Sequence, residues 1–286
     1  MNKFSVIGAG QVGSALILAL SQVKFKLQVV SDRSIRKARQ VVKIVGQGQA
    51  TNDNKTAVSP ADIIFICVPD DFISLVVNNL ARVDFKNKYV FHTSGACSSR
   101  LLEPLVKRGA AVASFHPVQT FAGPDPEPDI FQGIYFGIEG QPKAKQLGRK
   151  LAARLGAKTL YLSPEEKSVY HLACSMSSNF LVLLLFEVIE LFRTIGLEEK
   201  ETIKILVPLL NKTLQNVKKL GIERSLTGPL IRGDCQTVKS HLSITSLRPG
   251  LDKIYRSLAQ ESLVIGQRRG LSEDKIKALK KLLRQK

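Results

Sequence analysis

The stretch FSVIGAGQVGSALILAL, residues 4–20, decides how the first half of the chain is read. Gly8, Gly10 and Gly13 fit the spacing G-x-G-x-x-G, after a strand-like apolar run (Phe4, Val6, Ile7) and before a helix-like one (Val12, Ala15, Leu16, Ala19, Leu20). In a strand–turn–helix unit the first glycine makes the tight turn, the second lets the backbone approach a pyrophosphate, and the third lets helix and strand pack closely. Main-chain N–H groups of Ala9, Gly10, Gln11 and Val12 are then available to an anion at the helix start. The spacing predicts a dinucleotide site.

The next strand ends in LQVVSDRSIRKAR, residues 27–39. An acidic residue here binds the ribose 2′-hydroxyl of NAD, and an arginine nearby accommodates the 2′-phosphate of NADP. Both types are present, as Asp32 and Arg33. Arg33 and Ser34, with Arg36 and Lys37 beyond, suit a phosphate dianion, so NADP(H) is favoured over NAD(H) while Asp32 keeps NAD open.

Further strands follow. ADIIFICVPDD (61–71) is a continuous apolar run of the kind buried on both faces of a parallel sheet. Its end brings Val68 and Pro69 to the cofactor side. KYVFHTSGA (88–96) and AAVASFHPVQTF (110–121) deliver His92 and Ser94, then His116, where open α/β sheets bind ligands. His92 reads more simply as a loop histidine. AGPDPEPDIF (122–131) reads as a loop on the site side, and GIYFGIEG (133–140) and KTLYLSP (158–164) complete a sheet ending near Leu162.

Beyond Ser163 the pattern is helical only. SPEEK (163–167) starts a helix, with Ser163 as N-cap, Pro164 at the first position and Glu166 closing a capping box. Lys167, His171, Cys174 and Ser178 fall on one stripe of that helix. A proton donor and a substrate-orienting group of a reductase would stand there, although the spacing also fits an exposed first-turn lysine and a satisfied core histidine. The expected domains are 1–162, a dinucleotide-binding α/β unit, and 163–286, an all-helical substrate and dimerisation unit.

Composition bounds the alternatives. With 286 residues, 44% of them hydrophobic, the chain has material for two cores. Its four cysteines are scattered without a C-x-x-C pair, so neither a metal site nor a disulfide framework is expected, and the reading is cytoplasmic and reduced. The apolar run 180–186 is too short to span a bilayer and is expected in a protein core. The net charge of +18 raises nucleic acid as a partner, but the basic residues are spread out and aromatics make up only 6% without tryptophan, so no stacking platform is visible. The basic end KIKALKKLLRQK (275–286) reads as a solvated amphipathic helix.

Eight segments then carry a resemblance: VIGAGQVGSAL, SDRSIRKAR, VPDD, HTSG, FHPVQTF, FGIEG, KSVYHLACSMSSN and SLTGPLIRGD. Over nearly its whole length the chain resembles the Rossmann-like family whose helical tail is the domain of unknown function 2520. That family is itself similar to pyrroline-5-carboxylate reductases, prephenate dehydrogenases and the 6-phosphogluconate dehydrogenase superfamily. The resemblance implies a Rossmann domain with an extended, mostly parallel sheet, followed by an all-α domain like the 6-phosphogluconate dehydrogenase C-terminal one. It implies NADP bound at Arg33 and Ser34, and a catalytic lysine at Lys167. His171 stands where the superfamily has an asparagine, and Asn179 lies further along.

The expected activity is an NADP-dependent reduction of a small carbonyl or imine compound bearing a carboxylate, a 2-keto acid such as ketopantoate being one candidate. Lys167 is the expected acid, with His116 or His171 as the alternative donor. Ser178, Asn179, Thr227, Arg232 and Asp234 are the expected substrate contacts, Arg232 clamping the carboxylate. NFLVLLLFEVIELF (179–192), apolar over more than one face, calls for a homodimer. A non-catalytic NADP-binding regulator and a basic nucleic-acid binder are the rival classes.

Overall fold

A computed structural model describes residues 2–123 and 129–284. The loop reading of 122–131 falls in part on residues 124–128, outside the described residues. Eight strands, β1 (Lys3–Ile7), β2 (Lys26–Ser31), β3 (Gln49–Thr51), β4 (Ile63–Ile66), β5 (Tyr89–His92), β6 (Ala111–Pro117), β7 (Tyr135–Gly140) and β8 (Lys158–Tyr161), form one sheet in the order 3-2-1-4-5-6-7-8. The first six interleave with α1 (Gln11–Gln22), α2 (Ile35–Val45), α3 (Asp70–Leu80) and the single turn α4 (Glu103–Val106).

The first six strands are parallel, and β7 pairs antiparallel with β6. The cause is the connection. A parallel neighbour needs a crossover, usually a helix, and no helix occurs among the described residues between Pro117 and Tyr135. The crossover α5 (Pro142–Arg154) then lays β8 parallel to β7. Strand order reverses between β1 and β4, so the switch point lies at the glycine turn.

Both sheet faces are covered. All four residues of β4 are buried, as the apolar run predicts. One core contains Leu16, Phe65, Phe115 and Leu151, the other Ile64, Ile73, Val90 and Leu105. Phenylalanines bridge the strands of the first core, with Phe65 stacked on Phe91 at 5.5 Å and Phe115 on Phe136 at 4.1 Å. That last pair joins the parallel and antiparallel parts of the sheet.

The chain divides into two compact units, Met1–Phe180 and Leu181–Lys286. The helix α6 (Glu166–Ser175) and the π-helical turn after it, Met176–Phe180, group with the sheet. The boundary therefore falls 18 residues later than the change from strands to helices at 162/163. The reason is physical: α6 is tied to the sheet by a buried side chain described below.

The second unit is all-helical: α7 (Leu181–Arg193), α8 (Glu199–Leu220), α9 (Ile222–Ser225), α10 (Pro229–Arg232), α11 (Cys235–Thr245), α12 (Pro249–Arg268) and α13 (Glu273–Arg284). Its core lies between α11, α12 and α13, around Val238, Leu263 and Leu279. The basic terminal segment is amphipathic as read, burying Ile276, Leu279 and Leu283. The core expectation for residues 180–186 fails. Val182, Leu183 and Phe186 are 65%, 59% and 55% exposed, and the helical stretch Glu166–Arg193 is long and apolar enough to cross a membrane.

Phe115 is fully buried in the ring stack. Phe115→Ala should cost about 3–5 kcal/mol of stability, read as a lower urea midpoint.

Candidate active site

The glycine turn is built for close approach. Gly8 has φ +104°, and a Cβ there would stand 2.5 Å from the Cys67 carbonyl oxygen on the adjoining strand end. A Cβ on Gly13 would collide with the Gly8 carbonyl, whereas one on Gly10 would meet nothing within 4 Å. Gly10 thus presents an open backbone surface, and no side chain caps the start of α1. Its first N–H groups are free for an anion.

A groove of about 500 Å³ runs from this turn past Asp32, Arg33, Lys37 and Phe72. The Arg33 guanidinium lies 4.7 Å from the centre of the Phe72 ring. Asp32 is otherwise engaged: one carboxylate oxygen accepts the Ala9 N–H at 2.7 Å and the other the Ser34 N–H at 2.8 Å. It braces the glycine turn and the start of α2. Ser34 is the N-cap residue of α2.

In the other direction the groove shares Gly10, Val68 and Pro69 with a hollow of about 380 Å³ that also takes in Ser94 and Gly95. This hollow shares His116, Gln119 and His171 with a larger pocket of about 910 Å³ lined by Tyr170, Cys174, Ser178 and Asn179. The glycine turn, the strand ends and α6 therefore border one continuous trench. Its residues fit a dinucleotide, which would lie with its phosphates on the glycine turn and its 2′ end beside Arg33.

The helix α6 is positioned by its ends. Ser163 and Glu166 form the reciprocal capping box, with Ser163 N–H donating to Glu166 at 2.7 Å and Glu166 N–H to Ser163 Oγ at 3.3 Å. In this first turn Lys167 is only 1% exposed. Its Nζ donates to Ser114 Oγ at 2.6 Å and to the Ser94 carbonyl at 2.9 Å. Lys167 is thus neither the exposed first-turn residue nor part of the trench lining. Burial pulls its ammonium down to about 8, opposed by the charge of Glu139.

His116 and His171 do meet in the trench. Their rings are 6.1 Å apart, and His116 Nδ1 lies 2.7 Å from the Tyr170 hydroxyl. Burial first, and the Lys167 charge second, push His116 down to about 3. His92 is fully buried, its Nδ1 accepting the Ser94 N–H at 3.2 Å, and it is likewise pushed to about 3, chiefly by burial. It ends β5 rather than lying in a loop, and its ring is enclosed there.

Thr227, Arg232 and Asp234 belong to the second unit. Asp234 caps α11, accepting from Thr237 N–H at 3.0 Å and Thr237 Oγ1 at 2.7 Å, so its carboxylate is spent on the helix start rather than offered to a ligand. Arg232 is exposed. Sequence reasoning missed Tyr170, Gly137, Gln119 and Phe121. Tyr170 had a signal available, since it sits three residues after Lys167 on the same helix face.

The two histidines make the fold acid-sensitive. Each is held neutral with a folded value near 3 against an ordinary 6.5. Between those values the unfolded chain binds more protons, so stability falls as pH drops through that window. Urea midpoints should decline steadily from pH 6.5 downward, and His92→Gln should flatten the slope.

Two family models match. The Rossmann-like domain covers residues 2–117 and the domain of unknown function 2520 (DUF2520) covers residues 134–262. No curated protein matches. Among solved structures, protein TM1727 from Thermotoga maritima is 28% identical, with TM-score 0.71, over 93% of this chain and 99% of that one. A proposed NADP oxidoreductase, BF3122 from Bacteroides fragilis, is 22% identical, with TM-score 0.77, over 91% and 97%. A reductive aminase from Aspergillus terreus, in complex with NADPH and ethyl-5-oxohexanoate, is 17% identical, with TM-score 0.62, over 99% and 92%. The last two likenesses speak for the fold. The two family matches give the chain a Rossmann-like domain followed by a DUF2520 domain.

Proposed function

We propose that the protein is an NADP-dependent reductase of a small carbonyl or imine compound. The observation that carries this reading is the continuous trench from the uncapped glycine turn to the His116–Tyr170–His171 cluster. When bound, the nicotinamide cofactor supplies a hydride. The chain supplies phosphate binding at the turn, an apolar wall at Phe121 and Leu160, and hydrogen-bonding rings beside the reacting carbon.

NADP is favoured over NAD because Asp32 has both oxygens on main-chain donors, while Arg33 and Lys37 border the groove. A carboxylate already accepting two main-chain N–H groups has less capacity left for a ribose diol, and a guanidinium is a good partner for a phosphate. The solved reductive aminase complex holding NADPH supports the same choice.

The substrate pocket borders no lysine or arginine among the described residues. A 2-keto acid such as ketopantoate is the narrower form of this reading. The described residues hold no cluster suited to a metal. Four unpaired cysteines agree with a cytoplasmic location.

The exposed apolar residues of α7 and α8, among them Val182, Leu183, Ile205 and Leu209, support a homodimer. Light scattering at micromolar concentration should report twice the chain mass, and Leu183→Glu should shift it toward the monomer.

NADPH should bind more tightly than NADH, and Arg33→Ala should narrow the gap by about 1–3 kcal/mol, the scale of a charge-assisted hydrogen bond. Titration of both nucleotides by fluorescence tests the preference, and a panel of aldehydes, ketones and imines with NADPH, followed by nicotinamide absorbance, tests the reaction. Equal affinities in the wild type would overturn the NADP reading.

A further inference from the structure

Three rings and two glycines meet where the cofactor groove opens into the substrate pocket. The Tyr170 hydroxyl is 2.7 Å from His116 Nδ1, with the two rings nearly perpendicular at 89°. Space for this pair comes from residues without side chains. A Cβ on Gly137, in β7, would stand 2.5 Å from the Tyr170 hydroxyl oxygen. One on Gly95 would stand 2.5 Å from His171 Cδ2 and 2.8 Å from His116 Nε2. Neither glycine needs a left-handed backbone, so their role is room and not conformation.

Lys167 stands behind this cluster. Its Nζ is spent on Ser114 Oγ and the Ser94 carbonyl, and Ser114 Oγ in turn donates to the same carbonyl at 3.2 Å. Ser94 Oγ accepts the Cys97 N–H at 2.9 Å. The ammonium thus pins the loop that presents Gly95 and lies 5.9 Å from the centre of the Tyr170 ring.

We infer that the proton which completes reduction comes from the Tyr170 hydroxyl, held by His116, and that Lys167 is a positioning residue that does not meet the substrate. This rests on the reductase reading above and assigns the donor within it. The electron balance is simple. The substrate carbon gains the hydride, the π pair of the C=O or C=N bond passes to the heteroatom, and that atom takes the Tyr170 proton. The O–H bond of the phenol breaks. His116 Nδ1–H donates to the phenolate oxygen as it forms, the nearby positive charge of Lys167 favours it, and water entering the open pocket returns the proton.

The ordinary state of the groups agrees. Burial raises the Tyr170 hydroxyl well above the usual tyrosine value, so it stays protonated. His116, held neutral, can keep one ring N–H for the phenol.

The test is a set of variants assayed with NADPH and 2,3-butanedione, with the carbonyl and imine panel as further probes, and with NADPH affinity measured separately. Tyr170→Phe should lower kcat about a hundredfold and leave NADPH affinity within about twofold. Gly137→Ala should displace the hydroxyl and lower kcat comparably, yet add little in the Tyr170→Phe background, because both act on one interaction.

Lys167→Met should lower kcat more than it changes KM. In that background Tyr170→Phe should still cost about tenfold or more. If Lys167 itself delivered the proton, removing Tyr170 there would cost nothing further, and that result overturns the inference. Unchanged kcat in Tyr170→Phe, with the wild type active, overturns the donor assignment and leaves the reductase reading standing. A wild type that oxidises NADPH with no member of the panel overturns both.

Discussion

The buried ammonium of Lys167 fixes the reacting end of the trench. An ammonium withdrawn from water is costly unless its donors are satisfied, and here two of them reach the Ser94 carbonyl, two residues past β5, and Ser114 Oγ, midway along β6. The helix α6 is thereby tied to the sheet in its first turn, after the capping box has set where that turn begins. Residues three and four positions on, Tyr170 and His171, lie one turn further along the same face. Their place over His116 follows from where Lys167 is held.

The same constraint explains the electrostatics. A positive charge enclosed among strand ends pushes neighbouring histidines toward neutrality, adding to what burial does to His92 and His116. The trench therefore presents the neutral imidazole of His116 and the protonated phenol of Tyr170. Glu139, only 2% exposed and held by Ser99 through both its N–H and its hydroxyl, offsets part of the lysine charge from β7.

Much of this was legible in the sequence because local rules governed it. The glycine spacing, the apolar runs of the sheet and the SPEEK capping box each state a local geometry, and each is found in the structure. The reversal of β7 was not legible, because it depends on a connection lacking a crossover helix. Asp32 beside Arg33 left NAD open, since spacing cannot tell that its carboxylate accepts the Ala9 and Ser34 N–H groups. The stripe of Lys167 and His171 was legible but the depth of Lys167 was left open, for a helical stripe reports direction and not burial. Gly95 and Gly137 carried no periodic signal, because their purpose is the space that side chains from distant segments occupy.

The second unit poses the complementary problem, an excess of apolar surface rather than a buried charge. Its core needs only α11, α12 and α13, while α7 buries none of its residues and α8 buries only Thr202 and Leu206. Lipid could cover such a surface, but the ionic groups argue against it. Glu187 pairs with Arg248 at 2.9 Å, and Glu190 pairs with Arg193 and also approaches Arg248 at 3.6 Å. Charged groups inside a bilayer are costly and rare, whereas a protein interface accommodates an apolar centre with ionic groups at its rim. A second copy of the chain offers the same apolar surface in return, and a closed twofold pairing would cover both at once.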